Sequence, residues 1–294
     1  MGDCSHTATR RIKHIPLCEF IRSTETLWLA DTDILFGMLN TINPPKIVAV
    51  KTICGLANVV REGRLWNVLS PHPNIAEFVG IGEVELDLCW GLVSNYYSWG
   101  PIETYLFEVD PQVTGHSMRF QLLLGVLKGL EYIHSQSIIH GDLKGTNVLV
   151  DEQGSPRICD FGSSRIECAC YDGPSIQPST LAWDSPERWW PTTTRSTKQS
   201  DIWSFGCVAL EVQMGLLPWD IDGTGITTDM HDYQYNDREG TPAIASNPKL
   251  DLEGHPIKME VWNLMTQCWE IDPQQRPTAA ELLEQIQNLN PAAA

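Results

Sequence analysis

The order of apolar and polar positions divides the chain into a strand-rich first third and a helix-rich remainder. From about residue 24 to residue 50 the pattern is extended, ending in KIVAVK (46–51), a β-branched run whose side chains alternate between two faces. VVREGRLWNVL (59–69) has helical spacing despite Gly63, and SPHPN (70–74) breaks it. Residues 75–97 predict two short strands joined by a turn, and SWGP (98–101) marks a natural boundary. Beyond it Phe120, Leu123, Leu124, Leu127 and Leu130 share one face of a long helix over about 116–136. Residues 199–219 are apolar nearly all round, which predicts a helix buried in the middle of a lobe. Two more helices are predicted over 257–271 and 278–289, the second opening at Thr278 with Glu281 at capping-box spacing. The expectation is an α+β chain: a small β-sheet lobe carrying one helix, then a larger, mainly helical lobe. A ligand site is expected in the cleft such lobes form.

Composition narrows the possible functions. With 294 residues the chain can form one large domain or two lobes sharing a core. Its 42% hydrophobic and 19% charged residues are ordinary for a soluble protein. No apolar run approaches the roughly 18–20 residues needed to span a bilayer. The opening MGDCSHTATRR lacks the apolar region of a signal peptide, and His6 stands where a myristoylation motif wants Ser or Thr. These features predict a soluble, intracellular protein of the cytoplasm. A formal net charge of −17 disfavours nucleic acid and anionic membrane surfaces as partners, because both need a basic face. Nine cysteines, an odd number in a long chain, favour reduced thiols over a disulfide framework. Cys168 and Cys170 form a CxC, with no second pair at zinc-finger spacing.

The candidate chemistry lies in a few polar residues set among apolar runs. Lys51 ends a strand, and Glu62 lies on the helix after it. HGDLKGTN (140–147) places an acid, a lysine and an amide at Asp142, Lys144 and Asn147, and DFG (160–162) brings a second acid, Asp160. Singly, each has a plainer reading: an edge strand, a solvated helix face, a turn cap, a glycine turn. Together with SPE (185–187), SDIWSFG (200–206) and QRP (275–277), in that order, they make the chain resemble a protein kinase domain from about residue 25 to residue 290. HPNI (72–75), CWEIDPQQRPT (268–278) and SDIWSFG are similar to the tyrosine-kinase-like branch of Ser/Thr kinases.

The resemblance implies a two-lobed protein kinase fold. Residues 1–20 would be an N-terminal extension and 21–290 the kinase domain, divided into N-lobe 21–94, hinge 95–97 and C-lobe 98–290, with 291–294 as a tail. It implies ATP and Mg²⁺ as cofactors and a protein as substrate. Lys51, paired with Glu62, would hold the α and β phosphates; Gly37 and the hinge residues Asn95 and Tyr97, behind a small Ser94, would complete the ATP-binding set. Asp142 would take the proton of the attacking hydroxyl, with Lys144 facing the γ-phosphate, and Asn147 and Asp160 would be hard oxygen ligands for Mg²⁺. Thr180, seven residues before Glu187, together with Lys144 fits the Ser/Thr pattern and would position the substrate. The structural set would be His140, Phe161, Gly162, Glu187, Asp201 and Arg276. In it Glu187 and Arg276 form a buried ion pair, Asp201 holds the catalytic-loop backbone, and His140 and Phe161 stack with Trp66.

The sequence departs from the family pattern at several points. TDILFGML (32–39) is the best placement of the phosphate-covering loop, with Thr32 and Ile34 at the first two glycine positions and only Gly37 retained. Gly141 stands where many kinases carry an arginine that meets an activation-loop phosphate, so switching by that route loses its main acceptor. Lys51 and Glu62 lie so near in sequence that the connection must be short or the helix must lack its first turn. Pro101 falls where a polar residue often meets the ribose. Phosphoryl transfer to serine and threonine hydroxyls is the leading expectation, and a pseudokinase scaffold or allosteric partner is the alternative.

Overall fold

Between Phe20 and Asn95 the alternating pattern becomes a five-stranded antiparallel sheet. Its strands are β1 (Phe20–Leu29), β2 (Thr32–Leu39), β3 (Lys46–Ile53), β4 (Phe78–Val84) and β5 (Cys89–Asn95), in the order β1-β2-β3-β5-β4. The computed structural model describes residues 11–17, 20–29, 32–42, 44–53, 55–84, 89–168, 180–189, 195–220, 241–243 and 259–289. The chain forms two compact units, residues 1–98 and 99–294.

In the first unit one helix, α1 (Leu56–Leu69), packs on the sheet and buries Val59, Glu62, Gly63, Leu65, Trp66 and Leu69. It starts three residues after β3 ends, so the short connection expected between Lys51 and Glu62 is present. Trp66 donates its indole N–H to the Ala76 carbonyl at 2.6 Å and its ring lies 5.3 Å from that of Phe78. Leu35, Leu39, Val48, Val50 and Val93 form the core of the unit, joined by Ile15. Residues 11–17, from the segment ahead of the sheet, run beside β4 through a parallel bridge between His14 and Ile81.

The second unit is built on α3 (His116–Ser135) and α5 (Lys198–Met214), which pack on each other. Also present are α2 (Ile102–Val109), α4 (Pro186–Trp189), α6 (Met259–Cys268) and α7 (Ala279–Leu289). Helix α5 is buried throughout Ser200–Met214, as its all-round apolar pattern predicts. It opens with a capping box between Thr197 and Ser200 and stops at Gly215, whose left-handed φ of 65° suits a residue without Cβ. The helix predicted over 199–219 therefore ends sooner. Thr278 and Glu281 make the predicted capping box at the start of α7. Two strand pairs, β6 (Ile138–Ile139) with β9 (Arg165–Ile166) and β7 (Val148–Val150) with β8 (Pro156–Ile158), frame the loop 140–147.

Two expectations need correction. TDILFGML is strand β2 along its whole length, not a loop: Gly37 is buried opposite Val48, and Ile34 faces Lys51 across the ladder. Its run of apolar residues pairs on both sides, with β1 and with β3, which outweighs the single glycine. The thiols also differ among themselves: Cys159, Cys207 and Cys268 are free, whereas Cys168, in the CxC, is disulfide-bonded.

Candidate active site

The loop between β6 and β7 is held from beneath by one buried carboxylate. Asp201, on α5, accepts from the backbone N–H groups of His140 (2.8 Å) and Gly141 (2.9 Å), and its Oδ2 lies 2.9 Å from His134 Nε2. Burial works to raise its pKa, but the hydrogen bond and charge of His134 and the Gly141 amide bring it below the usual carboxylate value. Asp142 N–H donates to His140 Nδ1 at 3.3 Å, so Nε2 carries the proton that meets the Cys159 carbonyl at 3.1 Å. The rings of His140 and Phe161 meet edge-on at 5.5 Å. The loop thus has fixed backbone at both ends, which a site requiring sub-ångström placement needs.

On this frame Asp142, Lys144, Asn147 and Thr180 converge. Thr180 donates its backbone N–H and its hydroxyl to Asp142 Oδ1, both at 2.9 Å. Lys144 Nζ donates to Thr180 Oγ1 at 2.6 Å and lies 3.1 Å from Asp142 Oδ2. Asn147 Nδ2 donates to the Asp142 carbonyl at 2.8 Å, which leaves its Oδ1 as the acceptor end. The Cys159 amide donates to the Asn147 carbonyl at 2.9 Å, bringing Asp160, the next residue, beside Asn147 in the chain fold. Asp160 has a left-handed φ of 61° and takes the Gly162 N–H at 3.1 Å.

Gly141 has φ +84°, and a Cβ there would lie 2.7 Å from the Ser163 carbonyl oxygen. The glycine is therefore matched to its backbone, and Arg188 Nη1 donates to its carbonyl at 3.2 Å. Glu187 and Arg276 form the expected buried pair, bidentate at 2.7 Å twice, with Arg276 also donating to the carbonyls of Glu270 and Gln199.

In the first unit Lys51 Nζ meets Glu62 Oε1 at 3.0 Å, with both side chains largely buried. Ser94 is buried opposite Ala49, Asn95 bonds Glu77 through its side chain and backbone, and the Tyr97 hydroxyl accepts the Glu77 N–H at 2.9 Å. The side chains of Asn95 and Tyr97 thus both bond to Glu77, bracing the end of β5 and the residues just after it.

One group went unread in the sequence. Glu211, on α5, takes the Gly145 N–H at 3.2 Å and the Trp183 indole N–H at 2.6 Å on Oε1, and Gly145 has no room for a Cβ because Oε2 occupies that space. Burial, with Glu103 nearby, pushes its pKa up to about 8 despite those bonds and Lys144. A carboxylate inside an apolar run gives no spacing signal; the Trp183 partner is far away in sequence.

A family profile described as protein kinase domain matches residues 40–286. The chain belongs to the protein kinase domain family. It is 32% identical over 238 residues to "Mitogen-activated protein kinase kinase kinase 2" of Arabidopsis thaliana, covering 80% of this chain and 33% of that protein. It is 29% identical over 212 residues to "Serine/threonine/tyrosine-protein kinase HT1" of the same plant, covering 72% and 50%. With "MAP kinase kinase kinase mkh1" of Schizosaccharomyces pombe it shares 33% over 215 residues, 72% of this chain and 18% of the relative. The matched kinase region thus spans half or less of each of these relatives. They are the company expected of the tyrosine-kinase-like branch. Kinases of this family use ATP with Mg²⁺, and the donor set fits that pair. Asp160 and Asn147 offer hard oxygens, and Mg²⁺ bound with phosphates keeps several waters and needs few protein ligands. Among the described residues no helix is long and apolar enough to cross a membrane, and no three His, Cys, Asp or Glu side chains cluster as a metal cage.

Proposed function

We propose that the chain is a protein serine/threonine kinase that transfers the γ-phosphoryl group of ATP to protein hydroxyls. The observation that carries this reading is the contact of Thr180 with both Asp142 and Lys144. A hydroxyl already donates to Asp142 Oδ1 at 2.9 Å, which is the bond an incoming serine or threonine must make as it attacks. Its oxygen bonds to the γ-phosphorus, the bond from that phosphorus to the β-phosphate oxygen breaks, and the hydroxyl proton passes to Asp142. Lys144 supplies positive charge beside that oxygen, facing the equatorial oxygens that carry the charge of the transferred group. In the first unit, Lys51 is assigned to the α and β phosphates, held in place by Glu62. In the second, Asp160 and Asn147 are assigned to Mg²⁺, which when bound neutralises phosphate charge. Residues 21–290 are assigned as the catalytic domain, acting inside the cell on a protein partner.

A second reading, a kinase-shaped scaffold, is favoured by one observation. Ile34, a branched side chain, faces Lys51 across the β2–β3 ladder, and Gly37 is the one glycine in β2. Transfer of labelled γ-phosphate from Mg-ATP to a basic protein and to the chain itself separates the two. Asp160→Asn, which keeps shape and removes a ligand charge, is the control. Transfer by the parent, lost in the control and found on serine and threonine, establishes the kinase. No transfer by a folded parent establishes the scaffold.

A further inference from the structure

A segment that precedes the sheet packs on the elements around the Lys51–Glu62 pair. Residues 13–17 lie along β4 as an added strap: Ile15 N–H donates to the Ile81 carbonyl at 2.7 Å, and Ile81 N–H donates to the Lys13 carbonyl at 3.0 Å. Thr41 donates its hydroxyl to the Pro16 carbonyl at 3.3 Å. The groove is prepared by sequence. Gly80 and Gly82 both lie under the strap; a Cβ on Gly80 would collide with the Lys13 carbonyl, and one on Gly82 would lie 2.5 Å from the Ile15 carbonyl and 2.7 Å from Leu17. Ile15 is 1% exposed and sits in the core with Val48 and Val50, the latter adjacent to Lys51.

The same strap reaches the other partner of the pair. It fixes the backbone of Ile81, and the Ile81 side chain packs on α1 at Gly63, where a Cβ would lie 3.4 Å from it. Leu92 and Phe78 close on the same glycine at 3.2 and 3.4 Å. Gly63 follows Glu62 directly, so the strap bears on β3 through Ile15 and on α1 through Ile81.

We infer that the strap Lys13–Leu17 is a positioning element for the Lys51–Glu62 ion pair, with Ile15 as its anchor. The catalytic consequence rests on the proposed role of Lys51 in phosphate binding, whereas the structural consequence does not. Undocking the strap loosens the pair and weakens nucleotide binding while leaving the hydroxyl-side machinery of the second unit as it was.

Three variants test this in the full chain. Ile15→Asp removes the anchor, Gly82→Val blocks the groove without altering the strap's sequence, and Ile15→Val is the conservative partner. Amide hydrogen exchange is read over β3 and α1, with α5 as the internal reference. The expected result is exchange about tenfold faster in β3 and α1 for both disruptive variants, with α5 unchanged and Ile15→Val near the parent. In turnover, KM for ATP rises about tenfold with kcat within about twofold, because a misplaced phosphate clamp costs ground-state binding. Unchanged exchange in β3 and α1 overturns the inference. So does a loss of kcat at constant KM, which is what simple unfolding of a fraction of the molecules produces. A parent without phosphoryl transfer overturns the kinase reading instead, and the exchange result still decides the strap.

Discussion

Replacing Glu187 by Gln isolates the charge of the buried pair from its shape. Arg276 is 0% exposed in its side chain, and Glu187 22%. Removing one partner of a buried ion pair costs about 3–5 kcal/mol, because the remaining charge stays desolvated. Two features place Glu187→Gln near the lower end. Arg276 keeps the Glu270 and Gln199 carbonyls as acceptors, and its guanidinium lies 5.1 Å from the centre of the Trp203 ring. The expected loss is therefore about 3 kcal/mol. Arg276→Met should cost at least as much, since it strands Glu187 and those carbonyls together. The double variant should cost about 1.5 kcal/mol or more less than the sum, the signature of direct coupling. Denaturant unfolding followed by tryptophan fluorescence measures all three, with the denaturant slope checked for constancy. A loss under about 1 kcal/mol for Glu187→Gln, or a double variant equal to the sum, refutes the reasoning. Inactivity in any of these variants reports folding and not chemistry.

Three other expectations are open to the same kind of check. Thr180→Val removes the hydroxyl between Asp142 and Lys144 and should lower kcat about 10–100-fold with KM for ATP little changed, Thr180→Ser restoring most of it in steady-state assays. Gly141→Arg should destabilise the chain by about 1–2 kcal/mol from its left-handed φ alone, with more from the Ser163 carbonyl, read as a lowered thermal midpoint. For Glu211 the folded pKa of about 8 lies above the usual 4.5, so its stabilising contribution is full below about 4.5 and lost as pH rises through about 8. Each pH unit between costs up to about 1.4 kcal/mol, and Glu211→Gln should flatten that decline in denaturant midpoints measured from pH 5 to 8. Parallel curves for parent and variant would count against a titrating Glu211.

The resemblance carried the reading even across long separations: the Glu187–Arg276 pair and the hold of Asp201 on the catalytic loop were both expected, 89 and about 60 residues apart. Asp142, Lys144 and Asn147 fall within six residues, and it was the order of the motifs around them, not their spacing alone, that marked the cluster. Lys51 and Glu62 are eleven residues apart, and the geometry places them in contact. Strands β6 and β9 have two residues each, too few for any period to show. The extended pattern read over 24–50 holds through β2, and the placement of the phosphate-covering loop on TDILFGML failed because it followed the family pattern rather than that apolar run, which pairs on both sides. Glu211 was hidden because its partners, Gly145 and Trp183, come from segments 66 and 28 residues away. Ile15 was hidden for a related reason: a short run of scattered apolar residues around Pro16 has no period until Gly80 and Gly82 provide a seat for it.

The strap has a further consequence for solubility. A sheet in the order β1-β2-β3-β5-β4 has two borders, and each offers free backbone donors and acceptors to any extended peptide. Along β4 the Ile81 amide and carbonyl are already taken by Lys13 and Ile15, so that border cannot template another chain at this point. Displacing the strap would bare backbone beside glycines, which set no side chains in the way of a neighbour. Molecules with a loosened strap would then be prone to join edge to edge, and the first sign of undocking would be clumping before any loss of secondary structure.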